Sequence, residues 1–332
     1  MDFGFNDEQQ AIKETAREML AKRSPLAKVR EAAESRTYDD GLWKEICELG
    51  WPGIAIAEEN GGQGLAMVEL AILAEELGYA CAATPFLSNA SAGIFIERAG
   101  SDEHREHWLG GIASGEERGA AAFEPRSNDL VPDAEGAAVL VLNDGDRAVI
   151  VEAGDAQIEP AELIDATRSY AKVSASGGDA LAGDVEAAAD RSVVALAAEL
   201  TGIAQRALEI AVEYAKERQQ FERPIGAYQA VSHRCAGMMY DAEEARSLTY
   251  YAAWAADAEP ESLPLAASMA KARASDAAWR VTNDAIQVLG GIGFTWEHDI
   301  HFFLKRAKVG AELLGDPRMH RERVASLVGL SG

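Results

Sequence analysis

Two short stretches of the 332-residue sequence carry side chains that could do chemistry. In YAKERQQFERPIGAYQAV, residues 214–231, Arg218 and Phe221 stand one turn apart at the end of a helical pattern, next to a turn built from Pro224 and Gly226. A guanidinium projecting beside an aromatic ring suits a phosphate and an adjoining planar ring. The same spacing more often serves a helix cap and a core contact, so physics alone does not separate the two. The second stretch is QVLGGIGFTWEHDIHFFLKRAKVGAELLGDP, residues 287–317. Gln287 closes a long helical pattern, and Gly290, Gly291 and Gly293 break it with backbone that other groups can approach closely. A second helix follows and ends in Leu313, Leu314 and Gly315.

Other chemistries fail on spacing. No Glu stands three residues before a His, so a dimetal carboxylate site on helices is excluded. GGIGFTW lacks the third glycine of GxGxxG and follows a helix instead of a strand, and no GxxxxGK[ST] loop occurs. His298 and His301 are one helical turn apart but have no Cys or third His nearby, which favours an amphipathic helix end over a metal site. Cys47, Cys81 and Cys235 are scattered and lack CxxC spacing, as expected of reduced, buried thiols in a cytoplasm. With 31 basic and 55 acidic residues the net charge is −24, which argues against nucleic acid or an anionic membrane as a partner. The acidic start MDFGFNDEQQ is unlike a secretory signal, and no apolar run approaches a membrane span.

Three textures divide the chain into an N-terminal helical domain (1–115), a shortened middle β-domain (116–184) and a C-terminal helical bundle (185–332). In the first, Asn6 and Gln9 form a capping pair ahead of an apolar stripe through Ile12, Ala16, Met19 and Leu20. Further helices are expected near 39–49, 66–79, 87–99 and 102–114, with GWPGIAIAEENGGQGLA as a loop. In the second, GAAAFE, AAVLVL, RAVIVE and YAKVSA read as strands, with a hairpin at Asn143-Asp144-Gly145-Asp146. The third predicts four long helices in an antiparallel bundle. His104, His107, His233 and His320 take solvent or helix-end positions, and Phe294 and Trp296 read as core packing in preference to a ligand tunnel.

FNDEQQAIKETAREML, LWKEICELGWPGIAIAEENGGQGLAMVELAILAEELGYACAATPF, WLGGIASGE, LIDATRSYAKV, YAKERQQFERPIGAYQAV and QVLGGIGF occur in the order in which similar segments occur in the acyl-CoA dehydrogenase family. The resemblance covers nearly the whole chain. It implies a mainly α fold with a small central β-domain, and FAD-dependent α,β-dehydrogenation of an acyl-CoA thioester in an oligomer whose subunits share FAD. In that reaction a glutamate removes the α-proton while hydride passes to the flavin. It further implies that Arg218 binds the pyrophosphate, that Phe221 and Gln229 line the cofactor, and that Gln287, Gly290 and Gly291 approach its adenosine end. An electron-transfer flavoprotein is the implied electron acceptor.

The sequence departs from the family at the chemistry itself. The family's base is the glutamate of Glu-Gly-Thr, where this chain has Leu314-Gly315-Asp316. Members that carry the base on the first bundle helix would place it at Ser192, a very weak base at neutral pH. Glu199 and Glu312 are near in sequence but on other helix faces. The flavin-holding Thr-Glu-Pro and Gly-Ser-Asp are replaced by Phe123-Glu124-Pro125 and Arg126-Ser127-Asn128-Asp129, and no Trp lies between Trp108 and Trp254. The chain thus resembles the short, base-lacking subunits of α2β2 acyl-CoA dehydrogenases of steroid side-chain degradation. The resemblance implies a non-catalytic, FAD-contacting subunit beside a full-length homologue. A self-sufficient enzyme using Glu312 or His301, and a flavin-free scaffold, are the alternatives.

Overall fold

The computed structural model describes residues 4–122, 128, 130–144 and 147–330. Helix α1 (Asp7–Arg23) begins where Gln9 N donates to Asn6 Oδ1 at 2.8 Å and Asn6 N donates to Gln9 Oε1 at 3.1 Å, the reciprocal cap expected from sequence. Helices α3 (Asp40–Glu48), α4 (Met67–Tyr79), α5 (Phe86–Ala99) and α6 (Asp102–Ser114) fall within a residue of their expected bounds. Between α1 and α3 lies an unanticipated helix, α2 (Leu26–Ser35), whose short pattern starts after Pro25 and ends at Arg36 in the left-handed region. Two 3-10 turns, Trp51–Gly53 and Glu58–Asn60, make up the loop before α4.

Among the described residues seven short strands follow: β1 (Gly119–Ala121), β2 (Val131–Pro132), β3 (Val139–Asp144), β4 (Arg147–Glu152), β5 (Ala156–Pro160), β6 (Tyr170–Ala175) and β7 (Asp179–Ala180). They form a sheet of order β1-β3-β4-β7 and a second of order β2-β6-β5. Strands β3 and β4 pair antiparallel with Asp144 opposite Arg147, the register of a two-residue hairpin, whose tip at 145–146 lies outside the described residues. Strands β2, β5 and β7 carry too little apolar alternation to signal themselves; β5 is AQIEP and mostly exposed.

Among the described residues five α-helices come after the sheets: α7 (Val185–Glu217), α8 (Gln229–Ala258), α9 (Leu263–Leu289), α10 (Ile300–Glu312) and α11 (Pro317–Leu327), the last lying on α9 beyond the expected four. Helix α7 is the axis of the molecule, touching α4, α5, α8, α9 and α10. Its approach to α4 is set by glycine: a Cβ on Gly202 would lie 1.9 Å from Glu75 O, and one on Gly78 2.0 Å from Glu199 O. Side chains at either position would drive the two helices apart. Among the described residues no helix is long and apolar enough to cross a membrane.

Candidate functional site

Arg218 and Phe221 do not share a helix, contrary to the spacing argument. Helix α7 stops at Glu217, and Arg218 leaves it in extended conformation. A two-stranded ribbon follows, β8 (Gln219–Gln220) against β9 (Arg223–Pro224), with Gln219 opposite Pro224 and Gln220 opposite Arg223. The Arg218 carbonyl, no longer in the helix, accepts instead from Ile225 N across the ribbon at 2.8 Å. Phe221 and Glu222 form the tip with φ of 53° and 67°, a left-handed pair that matches hairpin twist but strains side chains larger than Asn or Asp. The turn holds the Phe221 ring outward, 87% exposed, edge-on to Tyr228 at 6.4 Å. Tyr228 OH donates to Gln220 O at 3.1 Å and its ring lies 4.0 Å from the Arg223 guanidinium, so it braces both strands.

Antiparallel packing gathers the remaining cofactor candidates at this same end of the bundle. Helix α8 starts at Gln229, one 3-10 turn (Ile225–Ala227) after the ribbon, and Arg234 near its start pairs with Asp284 near the end of α9. Gln287 is exposed on the last turn of α9, and Gly290 and Gly291 begin the 3-10 turn Gly290–Phe294. A Cβ at Gly290 or Gly291 would meet nothing within 4 Å, so their backbone borders open space. Expected in the core, Phe294, which ends that turn, and Trp296, on the loop after it, are 81% and 69% exposed. The loop turns outward to connect α9 with α10, and Lys305 Nζ covers one face of the indole at 4.2 Å.

The positions where a base would stand are closed. Leu314 is 5% exposed and packs in the main core. Its φ is 59°, a conformation costing a leucine roughly 1–2 kcal/mol, and His320 Nε2 donates to its carbonyl at 2.9 Å. Lys271 Nζ, fully buried on α9, donates to Ala311 O at 3.0 Å and Gly315 O at 3.1 Å, seating the C-terminus of α10. Burial pushes that ammonium down to about 7. Ser192 is fully buried and turns its hydroxyl onto Ala188 O at 3.0 Å. Glu312 is exposed and pairs with Lys308 at 2.7 Å.

Glu199 is committed to a charge network that sequence reasoning missed. Arg168, in the loop before β6, donates to Glu199 Oε2 at 2.7 Å and lies 3.8 Å from Asp133. Asp133 accepts from Ser88 on α5 at 2.5 Å and from Tyr38, whose oxygen in turn accepts from Ser169 N at 2.8 Å. Arg306 on α10 donates to Ala82 O and Thr167 O, both at 2.8 Å, and sits 3.7 Å from Asp165, which Tyr170 also reaches at 2.9 Å. Burial pushes the Asp133 carboxyl up, with Arg168 and Ser88 opposing it. These groups knit α5, the sheets, α7 and α10 together. One signal was available: Glu199 sits in ALAAELTGIA with no cation three or four residues away, so its charge must be met from elsewhere in the fold.

His107 and His233 are exposed and His104 lies in the first turn of α6, as expected. His320 also stands at a helix end, in the first turn of α11, but it is 1% exposed, and burial pushes it down to about 4. His301 packs against Trp296 and Phe302 with both ring nitrogens buried and unpartnered. Burial, with Lys305 and Arg30 beside it, holds it at about 4. His298 Nδ1 accepts from Ile300 N at 3.1 Å. Among the described residues no cluster of three or more His, Cys, Asp or Glu could hold a metal. The three cysteines are free, and only Cys81 is fully buried. Of Phe123–Asp129, only Asn128 is among the described residues.

Residues 6–116 match the model of the acyl-CoA dehydrogenase N-terminal domain, and residues 185–328 that of the acyl-CoA dehydrogenase C-terminal domain. The chain is 35% identical over 326 residues to acyl-CoA dehydrogenase IpdE2 of Mycolicibacterium smegmatis, covering 98% of this chain and 100% of that protein. It is 33% identical to acyl-CoA dehydrogenase FadE34 of Mycobacterium tuberculosis, where the match takes in 97% of this chain but 48% of the relative. Among solved structures, a variant of the Tcur3481-Tcur3483 steroid ACAD superposes with a TM-score of 0.89 at 26% identity, covering 97% of this chain and 98% of that one.

Proposed function

The chain belongs to the acyl-CoA dehydrogenase family, and we propose that within it this polypeptide is the non-catalytic, FAD-contacting subunit of a heteromeric enzyme. The observation that carries this reading is the state of the base positions: a buried leucine at 314 and a serine at 192 bonded to its own helix. Proton abstraction from an acyl α-carbon needs an acceptor within hydrogen-bond reach. Glu199 is held by Arg168, Glu312 faces solvent with Lys308, and His301 at about 4 is too weak a base to be poised near neutral pH. The base is therefore assigned to a homologous full-length subunit in an α2β2 assembly. The match of this chain to about half of FadE34 supports the reading, because that relative has room for a second unit of similar size.

The residues at the bundle end fit FAD. Arg218 meets no carboxylate among the described residues and is free to neutralise a diphosphate. Phe221 offers an exposed ring on a fixed turn, while Gly290 and Gly291 leave space for close approach. FAD when bound supplies the hydride acceptor of α,β-dehydrogenation. This chain's part is to bind the dinucleotide half presented by its partner and to close that side against water. The likeness to the Tcur3481-Tcur3483 steroid ACAD supports a steroid side-chain CoA thioester as substrate, and membership of the family supports an electron-transfer flavoprotein as electron acceptor. Purifying the chain alone and together with a homologous full-length subunit from the same genome tests the proposal. Bound flavin and acyl-CoA oxidation are expected only in the pair; flavin-replete activity of the lone chain would defeat it.

A further inference from the structure

We propose that Arg223, held by Tyr228, is a second phosphate-binding cation acting beside Arg218. The inference rests on the reading of the bundle end as an FAD contact and adds to it a residue that the spacing argument did not select. Arg223 stands directly opposite Gln220 in the ribbon, so the two share a face. Arg218 precedes Gln220 by two residues and therefore lies on that face as well, on the other strand from Arg223. The hydrogen bond from Ile225 N to Arg218 O extends the ladder to this pair. Arg223 is two residues from Ile225, which makes Arg218 and Arg223 diagonal neighbours with Cβ atoms roughly 7–8 Å apart. Two guanidinium arms at that separation can straddle a diphosphate, one to each phosphoryl group.

The surroundings leave both cations available. Both side chains are exposed, and among the described residues neither has a carboxylate at ion-pairing distance. That is unusual company in a chain of net charge −24, where Arg17, Arg168, Arg191, Arg246, Arg273 and Arg323 are all paired with acids. Tyr228 covers one face of the Arg223 guanidinium at 4.0 Å, which fixes the plane while leaving the N–H edge free to donate. The same tyrosine ties itself to the first strand through Gln220 O, so ring, ribbon and cation are set as one unit before any ligand arrives. A dinucleotide diphosphate carries two negative charges, and a lone Arg218 would answer one of them.

The test uses the complex of this chain with its full-length partner, titrated with FAD and with ADP, which shares the diphosphate and lacks the flavin. Arg223→Gln is expected to weaken both ligands by at least tenfold and to flatten the salt dependence of binding. Tyr228→Leu should weaken FAD by a smaller factor, and Lys216→Gln, a charge loss off the ribbon, should leave binding unchanged. Arg223→Lys keeps the charge without the planar fork and should retain part of the affinity; Arg223→Ala carries the test if Arg223→Gln does not assemble. Loss of FAD in Arg218→Gln with wild-type binding of FAD and ADP in Arg223→Gln or Arg223→Ala would overturn the second cation and leave the cofactor reading standing. Wild-type binding in Arg218→Gln as well would remove both.

Discussion

Arg168 and Arg306, where the sheets meet the bundle, are 5% and 1% exposed and share Asp133, Asp165 and Glu199. Arg218 and Arg223, at the outer end of the same bundle, are exposed and face no acid among the described residues. The inner region has closed its charge balance within the chain, and the outer one has left its balance open on a strained turn. Burying an ion without a partner costs several kcal/mol, so the inner arginines are conditions of folding. Exposed, unpaired cations contribute little to stability. On the proposed reading, the difference separates what the polypeptide needs for itself from what it offers to a cofactor.

The sharpest way to break this contrast is to cut the inner network. Glu199→Ala removes the carboxylate that Arg168 hydrogen-bonds, leaves it only Asp133 at 3.8 Å, and should cost about 3–5 kcal/mol, read as a large drop in denaturation midpoint. A loss within about 0.5 kcal/mol would show that the network is ornamental. A pH titration comes next. His320 is nearly fully buried and held at about 4, below its ordinary 6.5, so its stabilising contribution is complete above pH 6.5 and is lost as pH falls through 4. Urea denaturation at pH 7 and pH 4 should show wild type losing about 3 kcal/mol more than His320→Gln. At the outer end, Arg218→Gln should change the stability of the isolated chain by less than about 0.5 kcal/mol while releasing flavin from the complex, which calorimetry and flavin absorbance read separately. The smallest effect is expected from Leu314→Glu, which should give the lone chain no measurable acyl-CoA oxidation. Activity gained there would mean that the rest of a catalytic site survives in this chain.

Long apolar periodicity carried most of the fold, and the Asn6–Gln9 cap and the β3–β4 register were both readable from residue types. Helix α2 and strands β2, β5 and β7 were not, being too short to repeat a period or too exposed to need one. At the bundle end, residue types in YAKERQQFERPIGAYQAV identified the candidates, but helical spacing misplaced Phe221, because a ribbon formed by QQ and RP leaves no period in six residues. Phe294 and Trp296 were assigned to the core on average hydrophobicity, whereas the connection from α9 to α10 carries them outside. The buried network could not be assembled from sequence, since Tyr38, Ser88, Asp133, Arg168, Glu199 and Arg306 meet only through long-range packing. Leu314 was the opposite case: its chemistry was legible at once, because no packing can make an alkyl side chain accept a proton.

The proposed lack of a proton acceptor is best tested by exchange of the α-hydrogens of an acyl-CoA into heavy water, followed by mass spectrometry. Butyryl-CoA and a steroid side-chain CoA thioester would each be incubated with FAD and either the lone chain or the complex. Exchange at the uncatalysed buffer rate is expected with the lone chain, and accelerated exchange with the complex for the thioester it accepts. Accelerated exchange by the lone chain would contradict the proposal.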